Sequence, residues 1–186
     1  FPKLAKPGCP CAHRSCRMDS QNAKYISMVR SLYEGTCADV REAIKVHYAS
    51  AATFDDPIVT VSGSADVEAQ FLSLKALFTK AIIQDLVLSV EGDILITMTV
   101  HYYASENGPI LGIPQRTRLS LDKSGQVIAH RDEWLFVPAF LAKVPRPVSS
   151  LYSFWKWALG TSTSRFTRLA FAAKSLTTRG ELSELP

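Results

Sequence analysis

Two short stretches carry the side chains best suited to moving a proton. The first, GQVIAHRDEWLF at 125–136, reads as a strand. Alternation there sends Ile128, His130, Asp132, Trp134 and Phe136 to one side and Ala129, Arg131, Glu133 and Leu135 to the other. His130 and Asp132 therefore stand among large apolar residues, where burial raises a carboxylate pKa and a neighbouring imidazole can share its proton. A satisfied core hydrogen-bond pair fits the same pattern. The second, ATFDDPIVTVSG at 52–63, places Asp55 and Asp56 before Pro57, and the proline biases Asp56 towards extended backbone. A carboxylate fixed there, at a mouth between helix and sheet, suits a general base acting next to a carbonyl. It suits a turn equally well.

A third cluster, CPCAHRSC, gathers Cys9, Cys11, His13 and Cys16. Thiolates and imidazole are zinc ligands, but the usual pairs spaced from a second pair are absent. Metal and disulfide stay open, and free thiols are the favoured reading. No metal and no cofactor are expected, since there is no glycine-rich phosphate loop and nothing that points to a nucleotide.

Helical and strand periods show what must position these groups. A first helix is expected from about Asn22 to Tyr33, where Ile26, Val29 and Tyr33 repeat beside Tyr25, Met28 and Leu32. Gly35 stops it, and Thr36 with Asp39 reads as a capping box for a second helix that ends near Ser50, with Val40, Ala43, Ile44 and His47 inward. The segment 52–63 reads as an edge hairpin because of Pro57. Ser64 is expected to cap a third helix with Val67, Phe71, Leu74 and Phe78 on one face. From Ile82 the period changes to two. Leu86, Leu88 and Val90 run into the turn 91–93, and Ile94, Ile96, Met98, Val100 and Tyr102 return on one side. After a loop over 105–114, strands at 115–121 and 126–136 flank the turn 122–125. The expected fold class is α+β, a curved antiparallel meander packed by three N-terminal helices.

The 186 residues, 47% hydrophobic and 20% charged, allow one globular domain with chain to spare and exclude a disordered, collagen-like or coiled-coil protein. The net charge of +4 is unevenly spread. Residues 1–17 carry four bases and no acid, 18–138 carry 10 bases against 15 acids, and 139–186 carry 7 bases against Glu181 and Glu184. We divide the chain into a basic, cysteine-containing extension at 1–21, a domain at 22–138, and a basic aromatic extension at 139–186 that is partly helical. Basic ends suit an anionic partner. In the last extension Trp155, Lys156, Trp157, Arg165 and Arg168 are candidate contacts with a protein partner or a lipid surface, although a helix returning to cover its own core fits as well. The acid-free opening, which lacks an apolar secretory segment, suits an organelle-targeted protein better than a secreted one.

The helix before ATFDDP, the G-S-A-D-V entry to the third helix, the meander and the GQVIAHRDEWLF ending together resemble the cone-shaped superfamily of nuclear transport factor two, SnoaL-like cyclases and ketosteroid isomerases, over residues 22–137. The H-x-D-x-W ending resembles a branch found in mitochondrial and chloroplast proteins. By likeness to the isomerases, Asp56 lies at the position of the proton-shuttling carboxylate and Tyr33 near the tyrosine of the oxyanion-stabilising pair. Thr117 or a neighbour stands where the acid of that pair belongs, so half of that pair is missing or replaced. The function expected is a non-catalytic accessory subunit of a larger organellar assembly, mitochondrial and membrane-associated, with protein subunits as partners and no nucleic acid. The alternative is an isomerase, cyclase or hydrolase with Asp56, His130 and Asp132 as catalytic groups, in a pocket lined by Tyr33, Met98, His101, Tyr102, Tyr103 and Trp134.

Overall fold

The structure, a computed structural model, describes residues 11–135 and 156–170, those at 11–21 by their backbone alone. Three helices pack on one face of a six-stranded sheet. The elements run α1 (Cys11–Tyr33), α2 (Cys37–His47), β1 (Tyr48–Asp55), β2 (Thr60–Ser62), α3 (Ser64–Leu77), β3 (Lys80–Glu91), β4 (Asp93–Tyr103), β5 (Leu111–Leu121) and β6 (Val127–Trp134). A further helix, α4, covers 156–170.

The apolar stripe of α1 is buried as its period requires, through Tyr25, Met28, Val29, Leu32 and Tyr33. Its helix starts earlier than expected, by Cys11. The side chains of Cys9, Cys11, His13 and Cys16 lie outside the described residues. Thr36 and Asp39 do form a capping box, and α2 buries Val40, Ala43 and Ile44. It ends at His47, three residues short of Ser50, and His47 is only half-buried. The cap of α3 is Gly63 and not Ser64, which is already helical. At φ 95° Gly63 holds a backbone conformation that a side chain would disfavour.

The strand order is β2-β1-β6-β5-β4-β3. β3 to β6 form the expected antiparallel meander. The segment read as an edge hairpin does something else: β1 begins at Tyr48 and runs parallel to β6, pairing Phe54 with His130, and only the three-residue β2 occupies the edge. Pro57 lies in the turn between them, where its missing N–H costs no ladder bond. β5 starts at Leu111, so Gly112 and Pro114 belong to a strand and not to the expected loop. A bulge between β5 and β6 turns Ile128 outward, 42% exposed, against the side assigned to it by alternation. Phe136 lies outside the described residues.

The core sits between sheet and helices. Phe71, Met28, Leu32, Ile96 and Met98 are among its fully buried side chains, and each contributes roughly 1.5–3 kcal/mol by leaving water.

Candidate functional site

At the centre of that core six polar side chains bond to one another. Asp132 is opposite Thr117 in the β5–β6 ladder and accepts from the Thr117 hydroxyl at 2.5 Å. It also accepts from the Tyr33 hydroxyl, which arrives from the last turn of α1, and contacts His130 Nε2 at 3.1 Å. Gln115 Nε2 donates to Tyr33 Oη at 3.1 Å and to Thr117 Oγ1 at 3.3 Å. On the far side, His130 Nδ1 meets the Tyr48 hydroxyl at 2.5 Å. A ring with its proton on Nε2 satisfies both of its partners. Apolar groups seal the network: the His130 ring lies 5.2 Å from Phe54 and 5.6 Å from Phe71, centroid to centroid. Burial, with Asp132 beside them, holds the Tyr33 and Tyr48 hydroxyls well above the usual tyrosine range, so both stay protonated.

Asp56 lies on the turn after β1, close enough to Tyr102 for its charge to act on that hydroxyl. Its Oδ1 accepts from the backbone N–H groups of Ile58 at 2.7 Å and Val59 at 2.6 Å, which fixes the carboxylate on the turn after β1. Burial pushes its pKa up to about 6, against those two hydrogen bonds and with help from the charge of Asp132. Its neighbour Asp55 faces the other way, towards Thr60, Arg131 and α4.

A cavity of about 10 Å³ is lined by Tyr33, Leu74, Lys75, Phe78, Lys80, Ala81 and Tyr102. That is room for roughly one water molecule. The Tyr102 hydroxyl, unlike those of Tyr33 and Tyr48, makes no hydrogen bond to a described residue. Burial raises its pKa strongly, and both Asp132 and Asp56 add to the effect, so it is a standing donor within reach of both carboxylate fields. The Phe78 ring packs over it with centroids 4.7 Å apart, and the Lys75 ammonium donates to the Tyr33 carbonyl at the same end.

Protein architectures of this kind occur in proteins of very different sequence. The sequence matches no family model and no curated protein. In structure the chain is similar to a candidate isomerase of the SnoaL-like family from Agrobacterium tumefaciens, with 12% identity, a TM-score of 0.51, and coverage of 62% of this chain and 97% of that one. It is also similar to a candidate SnoaL-like polyketide cyclase from Shewanella putrefaciens, at 16% identity and a TM-score of 0.52 over 72% and 92% of the two chains. The fold is the SnoaL-like cone.

Within the cone, Tyr33, Met98, Tyr102, His130 and Asp132 lie inside as expected, and Trp134 is half-buried against the core. His101 and Tyr103 do not. The alternation that buries Val100 and Tyr102 turns both to the opposite sheet face, where His101 lies against Gly112 and Lys80 sits over the Tyr103 ring. Thr117 faces Asp132 across the β5–β6 ladder, and Asp132 is the acid that accepts from the Tyr33 hydroxyl. Tyr48 and Gln115 were not foreseen. Gln115 was legible in the two-residue period of β5, whereas Tyr48 was hidden by its assignment to the end of a helix.

The expected partner contacts divide. Trp155 lies outside the described residues. Lys156 turns inward, to Asp55 at 2.5 Å, the half-exposed Arg168 pairs with Asp66 at 2.6 Å, and Trp157 and Arg165 face outward. No helix among the described residues is long and apolar enough to cross a membrane.

Proposed function

We propose that the cone is the active site of a small-molecule isomerase, cyclase or hydrolase. In this reading Asp56 is the base, the Tyr102 hydroxyl donates to the oxygen that gains charge, and the Tyr33–Asp132 pair fixes that end of the site. One observation carries it: a carboxyl group with a pKa near 6 lies close enough for its charge to act on the Tyr102 hydroxyl, which lines a small cavity and has no hydrogen-bond partner among the described residues. A base with that pKa is ionised at neutral pH yet basic enough to take a proton, and a donor that the protein has not already paired is available to stabilise developing charge. The rest of the lining combines Leu74, Phe78 and Ala81 with Lys75 and Lys80, which favours a substrate with an apolar body and a polar or anionic end. The cavity holds only about one water, so such a substrate gains room by displacing the Phe78 ring that packs over Tyr102.

A single experiment covers several substrate classes. The protein is incubated in deuterated water with a panel of small ketones, enones and epoxides, and exchange or turnover is followed by NMR. Activity should rise with pH through about 6, as Asp56 loses its proton, and should fall by about 100-fold or more in Asp56→Asn.

The second reading is the non-catalytic subunit of a membrane-associated mitochondrial assembly. It is favoured by the self-sufficiency of the Tyr48–His130–Asp132–Tyr33 network, which needs no ligand to complete it. Absence of turnover across the panel, together with migration of the chain in a large complex on native gels of its source material, would replace the first reading by this one.

A further inference from the structure

α4 is built inside out. A helix that covers a core normally buries its large apolar residues and exposes its small ones. Here the residues at 156, 160, 164 and 167, spaced by one turn, face the domain, and they are Lys156, Gly160, Ser164 and Thr167. Ser164 is fully buried and Thr167 nearly so. The fit is close: a Cβ on Gly160 would lie 2.6 Å from the Thr60 carbonyl oxygen and 2.7 Å from Val61 Cγ1. The buried Gln70 amide completes the seat, donating to the Gly160 carbonyl at 3.1 Å and to Ser164 Oγ at 3.0 Å. Lys156 and Arg168 tie the two ends of the helix to Asp55 and Asp66.

The large side chains point to solvent. Leu159, Phe166 and Leu169, at 39%, 75% and 70% exposure, form a ridge spaced by steps of seven and three residues, with Trp157 exposed on its flank and Arg165 beside it. From Leu159 to Leu169 the ridge is roughly 15 Å long. Exposed apolar residues scattered singly need no explanation, but a ridge of leucine and phenylalanine on a helix already docked by its other side does.

We propose that this ridge seats the protein on an anionic lipid surface. Two features select that occupant. First, residues 139–180 carry seven bases and no acid, and Arg165 lies beside the ridge itself, so what meets it should be negatively charged. Second, the ridge is convex. A protein partner would need a matching groove, whereas a lipid headgroup layer accepts an apolar ridge without one. Because α4 is pinned to the domain through Gly160 and Gln70, the ridge presents the cone in a fixed orientation. The inference rests on the outer face of α4 alone and is independent of what the cone interior does.

Flotation of the full chain with vesicles tests it. The chain should float with vesicles of one part phosphatidylserine to three parts phosphatidylcholine, less with phosphatidylcholine alone, and less as salt is added. The double variant Phe166→Ser with Leu169→Ser should bind about tenfold or more weakly, and Arg165→Glu should lose the preference for the anionic vesicles. All three positions are solvent-facing, so circular dichroism should show unchanged folding; a double variant that is unfolded is replaced by Phe166→Ser alone. Equal binding to both vesicle types overturns the charge component. Failure to float, with self-association that the double variant abolishes, reassigns the ridge to a protein contact and overturns the proposal.

Discussion

Asp55 and Asp56 are adjacent in the chain and belong to different regions of the molecule. Asp55 sits at the seat of α4, where Lys156, Thr60 and Arg131 outweigh the cost of its partial burial and hold its pKa below the usual carboxylate range. Asp56 sits on the turn after β1, where burial outweighs two backbone hydrogen bonds and lifts it to about 6. The outer seat spends its charges on holding two elements together. The turn keeps a carboxyl group whose two backbone hydrogen bonds do not offset its burial, which is what distinguishes a reactive group from a fastener.

Four measurements break or sharpen that contrast. The largest effect is expected inside the cone. Asp132→Ala removes the acceptor shared by Tyr33, Thr117 and His130 and leaves buried donors unmatched, at a cost of about 4 kcal/mol. Urea unfolding of this variant at the wild-type midpoint would mean that the network is not closed.

Next comes Asp56. Its proton is held more tightly in the folded chain than in the unfolded one, so its contribution to stability is complete below the unfolded pKa near 4 and is lost as pH rises through about 6. Above that the ionised group costs roughly 3 kcal/mol. Asp56→Asn retains an acceptor for Ile58 and Val59, so it should raise stability by about that amount at pH 8 and change little at pH 4. A variant less stable at pH 8 would make Asp56 a fastener like its neighbour.

At the outer seat the close approach of α4 is expected to matter more than its ion pairs. Gly160→Ala forces the helix off Thr60 and Val61 and should cost about 2 kcal/mol, seen as faster hydrogen exchange in α4 with the exchange of β4 and β5 unchanged. Asp55→Asn is the mildest, near 1 kcal/mol, because its partners are partly exposed. Its pH dependence runs opposite to that of Asp56. The stabilisation is present above the unfolded pKa and is lost as pH falls through the lower folded value, so acid should loosen α4 in the wild type and leave Asp55→Asn indifferent. Loosening of α4 at equal pH in both chains would show that Asp55 has no part in holding it.

Much of this was legible in the sequence wherever one period governed one element. The stripes of α1 and α2, the capping box at Thr36 and the inward set of β4 follow from side-chain spacing alone, and so does the pairing of His130 with Asp132 on one face. The same alternation places His101 and Tyr103 outside, and reading them as pocket donors set aside the period of their own strand. What spacing cannot show is which strands become neighbours. β1 lies beside β6 in parallel, a long-range pairing that brings Tyr48 to His130 across 82 residues. That Thr117 faces Asp132 is likewise a fact of ladder register, invisible until the two strands are aligned.

The parallel pairing of β1 with β6 also sets an order of assembly. β1 and β2 leave the ribosome before the rest of the sheet exists, and β1 has no neighbour except the three-residue β2 until β6 has been made. Tyr33 must wait 99 residues for Asp132. Throughout that interval the nascent chain carries an unpaired strand edge and tyrosines with no acid to receive them, a stretch of synthesis in which a chaperone has the most to protect.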